Sequence, residues 1–575
     1  MTGTRSVIEQ RLQAAFDTLE PGTDPVVRSS DHADFQANGA LGLAKRLGRR
    51  PREVAEAVVA AAELDDICRS VEVSGPGFIN LTLAEGFLAA QVVVMADDER
   101  LGIPLACSPH TVVVDYSHPN VAKEMHVGHL RSTIIGDALV RMLEFVGHRV
   151  VRENHIGDWG TPFGMLIEHL LDLGEDQAIE ELSVGDLNSF YRQARASFDA
   201  DDRFRDRSRR RVVLLQSGDP ETLRLWHVLV AQSLCYFDEV YAKLGVLLTD
   251  DDVVGESFYN PMLGDVVRDL DALGLIVESD GAQCVFPPGF ANREGDPLPL
   301  IVRKSDEGYG YPATDLAAIR DRMGRLGAGQ ILYVVGAPQA QHLAMCFAVA
   351  VMAGWLPEPA MAVHVAFGSV LGVDHKMLRT RGGETVKLTD LLDEAVARAD
   401  AAVAERAPEL SEAERAPVAE VVGIGAVKFA DLSTDRVKDY VFDWDRMLAF
   451  EGSTGPYLQY AHARIRSIFR RIVSGDDDFA AAEIVLAEQA ERSLALVLLG
   501  FADALEATLE KWAPNRLCAY LYEVSSAFST FYESCPVLKA PTEDLRRSRL
   551  RLADLTARVL AQGLALLGIA APEQM

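Results

Sequence analysis

The chain has 575 residues, 49% of them hydrophobic, and a formal net charge of −29 at pH 7, so three or four domains are expected, because one hydrophobic core does not extend over such a length. The acidic balance excludes indiscriminate binding to phosphate backbones, which attract Lys and Arg, and leaves room only for a nucleic acid met through local basic patches. No apolar run approaches the roughly 18–20 residues of a membrane span and the opening MTGTRSVIEQRL lacks a signal-peptide core, so a cytoplasmic protein with no membrane attachment is expected.

In chain order, residues 1–105 read as a small α+β domain. It has a helix near 5–19, another near 51–67, and a strand Ser70 to Val73 that turns at GPG into the half-buried strand FINLTL. From 106 to 390 short apolar strands alternate with helices, the pattern of a Rossmann-type, doubly wound parallel sheet. The strand candidates are TVVVDY, Arg149 to Glu153, QILYVVGA and Ala362 to Phe367; looser, more charged text around 170–300 reads as an insertion. A helical connector follows over 391–450, and 451–575 reads as a C-terminal α-helical bundle with apolar stripes at 483–511 and 543–567. The fold class is therefore α/β, flanked by an N-terminal α+β domain and a helical C-terminus. Seven cysteines stand far apart without a C-x-x-C pair, so neither disulfides nor zinc are expected.

The stretch DYSHPNVAKEMHVGHLRSTIIG at 115–136 carries the densest chemistry. A β-branched run, Thr111 to Val114, precedes it, and apolar residues at helical spacing run from Leu130 to Phe145, with Gly147 placed to end the helix. His126 and His129 therefore stand at a helix N-terminus, where free N–H groups and the positive dipole end favour polyphosphate. Gly128 has no Cβ to hold off an adenine ring. Alone, H-x-G-H is readable as a nucleotide contact or as ordinary helix-start residues, and less readily as metal ligands. Two basic segments run against the acidic average. Arg203 to Arg211 reads as a solvated helix face or an RNA patch, whereas Arg464, Arg466, Arg470 and Arg471 lie beside Tyr457, Tyr460 and His462, a mixture that suits RNA.

The full string VVVDYSHPNVAKEMHVGHLRSTIIGD, followed by NHIGDWGTPFGMLI at 154–167, resembles the signature of the arginyl-tRNA synthetases, class I aminoacyl-tRNA synthetases. The resemblance continues in order through GES at 255–257, RKSDEGYGYPATDLAAIR at 303–320, QAQH at 339–342, HVAFG at 364–368, TRGGETVKLTDLLDEA at 380–395 and DWDRMLAFEGSTGPYLQYAHARIRSI at 443–468. It also takes in DFQANGALGLAKRLGRRPREVA and GPGFINL near the N-terminus, which resemble the family's tRNA-elbow domain.

The resemblance implies attack of the arginine carboxylate on the α-phosphate of ATP, with Mg2+ accompanying the nucleotide, then transfer to the 3′ end of tRNA(Arg) by a monomeric enzyme. By the same resemblance His126, Gly128 and His129 bind ATP, Lys123 supplies charge, and Lys376 and Arg379 stand in the place of a second, degenerate K-M-S-K-S signature; His364 approaches the ATP base. Asp115, Asn120, Glu256, Tyr311, Asp315 and Gln339 bind arginine, a cation whose planar fork of donors calls for carboxylates. Gln36, Asn38, Tyr457, Gln459, Tyr460, His462 and Arg464 touch tRNA. The family implies that adenylate formation itself requires tRNA. Asp158 to Thr161 read either as a shaped pocket or as packing, and Tyr520, Tyr522, Phe528 and Phe531 as core. His118, His375 and Gln574 depart from the family pattern and leave open a paralogue serving a secondary pathway; a silent tRNA-binding regulator and a nucleotidyltransferase are the remaining alternatives.

Overall fold

The β-branched run at Thr111–Asp115 forms a central strand of a four-stranded parallel sheet, ordered Met361–His364, Gln330–Tyr333, Thr111–Asp115, Arg149–Glu153. These strands belong to a computed structural model that describes residues 3–30, 32–183, 187–376, 378, 386–408, 410–472 and 479–575. Val112, Val113 and Val114 are fully buried, as expected of a strand covered on both faces. Register sets Asp115 beside Glu153 and Tyr333, and Tyr333 beside His364, so four polar side chains stand abreast at the carboxyl edge, where open α/β sheets bind ligands.

The helix Val127–Phe145 returns from this edge, and its Gly136 lies against the Tyr116 ring, which a Cβ would meet at 2.3 Å. Between the sheet's two halves run five helices from Pro162 to Leu244, the helix Glu256–Ala272 and a three-stranded antiparallel sheet, in the region expected to be inserted. The basic run at 203–211 lies on the helix Asp202–Ser217. There Arg207 pairs with Asp172, Arg211 with Glu168 and Arg205 with Asp202, so these three cations are engaged by neighbouring carboxylates.

Residues 106–449 and 566–569 form one compact unit; residues 1–105, 450–565 and 570–575 form another. In the first, the segment after 391 packs in the same unit as the parallel sheet. Buried Arg131 of the signature helix binds Asp431 at 3.1 Å and the carbonyls of Gly368 and Lys438, both at 2.9 Å. In the second, an antiparallel sheet ordered Val27–Ser29, Phe35–Ala37, Phe78–Leu83, Cys68–Ser74 shares a core with C-terminal helices. Arg492 reaches Asp34 and the Leu83 carbonyl, and Arg558 reaches the carbonyls of Ala96 and Asp98. Among the described residues no helix is long and apolar enough to cross a membrane.

Candidate functional site

The signature loop is held in a conformation its residues do not favour. Ser117, His118 and Ala122 all have left-handed φ, of 82°, 55° and 58°, at a cost of about 1–3 kcal/mol each for residues with a Cβ. Hydrogen bonds fix them: Ser117 N–H donates to Ser132 Oγ, His118 N–H to Asn154 Oδ1 and Ala122 N–H to Ser233 Oγ. Ser233 and Tyr241, which bonds both Ser117 and Asn154, come from the inserted helix Pro220–Leu244, so the insertion buttresses the signature.

His126 is the N-cap of the signature helix. Its Nδ1 accepts from Gly128 N–H at 3.0 Å, and His129 Nδ1 accepts from His126 N–H at 3.1 Å. With both Nδ1 atoms accepting, each neutral ring carries its proton on Nε2. Burial and the neighbouring His126 push His129 down to about 3, and burial with Lys123 lowers His126, so both act as neutral N–H donors near pH 7. Gly128 has a second reason to be glycine: a Cβ there would stand 2.7 Å from the His126 ring and break the cap. Lys123 lies over the Tyr191 ring at 4.6 Å.

The six residues assigned to arginine converge. Asp115, Asn120, Glu256, Tyr311, Asp315 and Gln339 all line one cavity of about 350 Å3 at the carboxyl edge of the sheet. Tyr311 and Asp315 lie one turn apart on the helix Tyr311–Gly324, and Glu256 opens the helix Glu256–Ala272. Asp158 locks that opening by accepting from Ser257 N–H at 2.9 Å and Oγ–H at 2.6 Å, which gives Asp158 a positioning role. Trp159, Gly160 and Thr161 line a second cavity, of about 540 Å3, that shares Glu256 and Tyr311 with the first. Asn120 is set by a two-strand bridge with Gly157.

The cavity gathers three carboxyl groups, from Asp115, Glu256 and Asp315. Burial raises Glu256 to about 7, helped by the charges of Asp158 and Asp315. Burial would also raise Asp115, but Arg322, at 2.7 Å, with His118 and His155 holds it below the usual carboxylate range. Arg322 also binds Glu153 at 2.6 Å. Asp315 binds His342 at 2.6 Å, and that hydrogen bond raises the imidazole above its ordinary value. Asp115 Oδ1, His118 Nε2 and His155 Nδ1 are buried without a hydrogen-bond partner, the first two facing each other at 3.5 Å, and belong to residues that line the cavity. Orphaned buried groups cost about 1–3 kcal/mol each, and such a set is what a polar ligand satisfies. His118, His155, Tyr333 and His342 were not among the sequence-assigned arginine contacts; His155 lies inside the NHIGDWG string, which was its available signal.

The remaining assignments divide. His364 stands at the sheet edge and donates from Nε2 to the Val335 carbonyl. Lys376 is exposed on a turn closed by Gly372 N–H to its carbonyl, and His375 in that turn has φ of 58°, the conformation that glycine adopts freely. Arg379 lies outside the described residues. Gln36 bonds Asn80 on the N-terminal sheet, and Asn38 stands at the start of the helix Gly39–Leu47 with no side-chain cap bond. Tyr457 is half-buried, Tyr460 is exposed, and Arg464 lies over the Tyr532 ring at 4.7 Å. The expectation that Gln459 and His462 form an RNA-facing surface is corrected: both are buried, donating to the carbonyls of Ala570 and Pro572 and so anchoring the C-terminal tail. Tyr520, Phe528 and Phe531 are core, as expected.

Three family models match in succession: the Arginyl tRNA synthetase N terminal domain over residues 4–83, tRNA synthetases class I (R), catalytic domain over 92–444, and the DALR anticodon binding domain over 458–575. The arginine–tRNA ligases of Thermobifida fusca and Streptomyces avermitilis are 56% and 50% identical, each with 100% of both chains covered. Among solved structures, the arginyl-tRNA synthetase of Plasmodium falciparum is similar with a TM-score of 0.87 at 30% identity, and that of Thermus thermophilus with 0.81 at 26%, each covering 100% of both chains. A sheet edge that gathers three carboxylates in one cavity beside a histidine-capped helix, in a chain matched from end to end by these relatives, belongs to the class I arginyl-tRNA synthetase family.

Proposed function

We infer that this chain is an arginine–tRNA ligase of protein synthesis, which activates arginine with ATP and transfers it to tRNA(Arg). The observation that carries the residue roles is the meeting of Asp115, Asn120, Glu256, Tyr311, Asp315 and Gln339 around one cavity. Glu256 and Asp315 take the guanidinium in fork geometry, and Tyr311, exposed at 75% of its surface, covers it. Asp115 Oδ1, which has no hydrogen-bond partner and lies 3.5 Å from His118 Nε2, takes the α-ammonium group, with Asn120 and Gln339 completing that end. A pocket built to pair five donors rejects a neutral isostere by leaving its own carboxylates unpaired, so no editing step is needed.

His126 and His129 donate Nε2–H bonds to the ATP phosphates, and Lys123 with Lys376 and Arg379 supplies positive charge that stabilises the negative charge on the phosphate in the transition state. Catalysis is then positioning and charge stabilisation, with no protein nucleophile. Mg2+ fits this site as a partner of the phosphates rather than of a protein cage, because Glu124 of the signature is engaged by Lys387 and Asn188. The His364 ring borders the ATP base. Gln36 and Asn38 serve the tRNA elbow, and Tyr457, Tyr460 and Arg464 the anticodon side. The enzyme acts as a cytoplasmic monomer, which sedimentation at working concentration checks.

Aminoacylation of tRNA with labelled arginine tests the reading, together with arginine-dependent pyrophosphate exchange with and without tRNA. Both signals should require arginine, and exchange should also require tRNA. Attachment of a different amino acid would refute the specificity.

A further inference from the structure

We propose that Asp315, His342 and Cys346 form an inhibitory site for a soft divalent cation, zinc by its chemistry, in the wall of the arginine cavity. His342 and Cys346 lie one turn apart on the helix Ala340–Met352, and Asp315 faces them from the helix Tyr311–Gly324. One ligand atom from each residue lies within 4.8 Å of the other two. His342 Nε2 stands 2.6 Å from Asp315 Oδ2 and 3.7 Å from Cys346 Sγ.

Tetrahedral zinc with bonds of about 2.0–2.3 Å separates its ligand atoms by roughly 3.3–3.6 Å. The nitrogen–sulfur distance of 3.7 Å has only to close by about 0.1 Å. The nitrogen–oxygen distance has only to open by less than about 1 Å, as one metal ion replaces the proton between the two side chains. That proton and the Cys346 thiol proton pass to solvent while the metal–nitrogen, metal–oxygen and metal–sulfur bonds form, with no change of oxidation state. A mixed nitrogen, oxygen and sulfur set selects zinc over the hard, oxygen-seeking Mg2+. Asp315 and His342 line the cavity, so the fourth coordination position is open to a water from it.

The inhibition rests on the reading that Asp315 holds the guanidinium, since a divalent cation on Asp315 cancels the carboxylate's attraction for the substrate and repels its positive charge. Metal occupancy and arginine occupancy therefore exclude each other.

Cobalt provides the test, because Zn2+ is spectroscopically silent. Titrating the full-length enzyme with Co2+ should give a thiolate-to-metal charge-transfer absorption that Cys346→Ala and Cys346→Ser both lose, while both variants still charge tRNA with arginine in zinc-free buffer. Zn2+ should inhibit charging competitively with arginine, and Cys346→Ala should need at least about tenfold more Zn2+ for the same inhibition. Absence of the absorption, or its persistence in both variants, overturns the site. Zinc inhibition that saturating arginine does not relieve overturns its overlap with the arginine cavity. Charging in zinc-free buffer reports separately on the underlying activity, so failure there is distinct from failure of the metal site.

Discussion

His126 and His129 show how far single residues determine chemistry here. Their mutual cap assigns both protons to Nε2, and burial keeps both rings neutral, so they offer directed donors rather than charges. His129→Ala should lower adenylate formation at least about a hundredfold, the scale of a lost transition-state donor; arginine-dependent pyrophosphate exchange in the presence of tRNA measures it, and near-normal turnover would remove this ring from the mechanism. Glu256 makes a second prediction. With its carboxyl raised to about 7, the free enzyme holds it protonated at low pH, and only the ionised form attracts a guanidinium. His342 acts in the same direction, since its protonated form neutralises Asp315. The KM for arginine should therefore fall as pH rises from about 6 to 8, and Glu256→Gln should raise KM and flatten that dependence. A steep profile surviving in the Gln variant would assign the titration elsewhere. Asp315→Ala should mainly raise KM for arginine, by about tenfold to a hundredfold for a lost charge-assisted pair.

At the scale of elements, strands and helices were legible where one period dominates. Arg149–Glu153 and the strand opening at Thr111 coincide with the sequence reading, because each holds a β-branched core too short for a helix and bounded by turn or polar residues. The helix expected near 51–67 ends at Ala61, and the apolar stretch 483–511 is two helices meeting at Gly500. Neither break interrupts the apolar stripe, which is why periodicity alone did not mark it. The signature helix offers a direct test. Gly136→Ala gains about 1 kcal/mol of helix propensity, but its Cβ would stand 2.3–2.5 Å from the Tyr116 ring. Overpacking of that kind costs about 1–3 kcal/mol or more, and Tyr116 is fixed by the strand behind it. The clash should win, lowering the thermal midpoint; an unchanged or raised midpoint would mean that the strand and helix separate easily.

At the scale of the molecule, the compact units join segments far apart in the chain. In one of them Arg492 binds Asp34 with bonds of 2.8 and 2.5 Å, both side chains almost wholly buried. Arg492→Ala leaves Asp34 buried without its cation, at a cost of about 3–5 kcal/mol. Thermal unfolding and limited proteolysis of the N-terminal sheet should both register it, whereas stability within error of the parent would show that water replaces the guanidinium. The same long-range folding hid Gln459 and His462 from sequence reasoning. Their aromatic and basic neighbours suggested an exposed RNA face, but the chain's last residues return to cover them. By itself the sequence determined the family and picked out six residues that meet in one cavity, because each rests on local period or on motif text that survives without coordinates. Only the tertiary structure decided which polar groups lack a hydrogen-bond partner, how Asp158 holds the start of the Glu256 helix, and how His342 and Cys346 come to face Asp315. Those facts depend on distances between segments tens or hundreds of residues apart, and hydrophobic burial brings such segments together without leaving a periodic trace in the text.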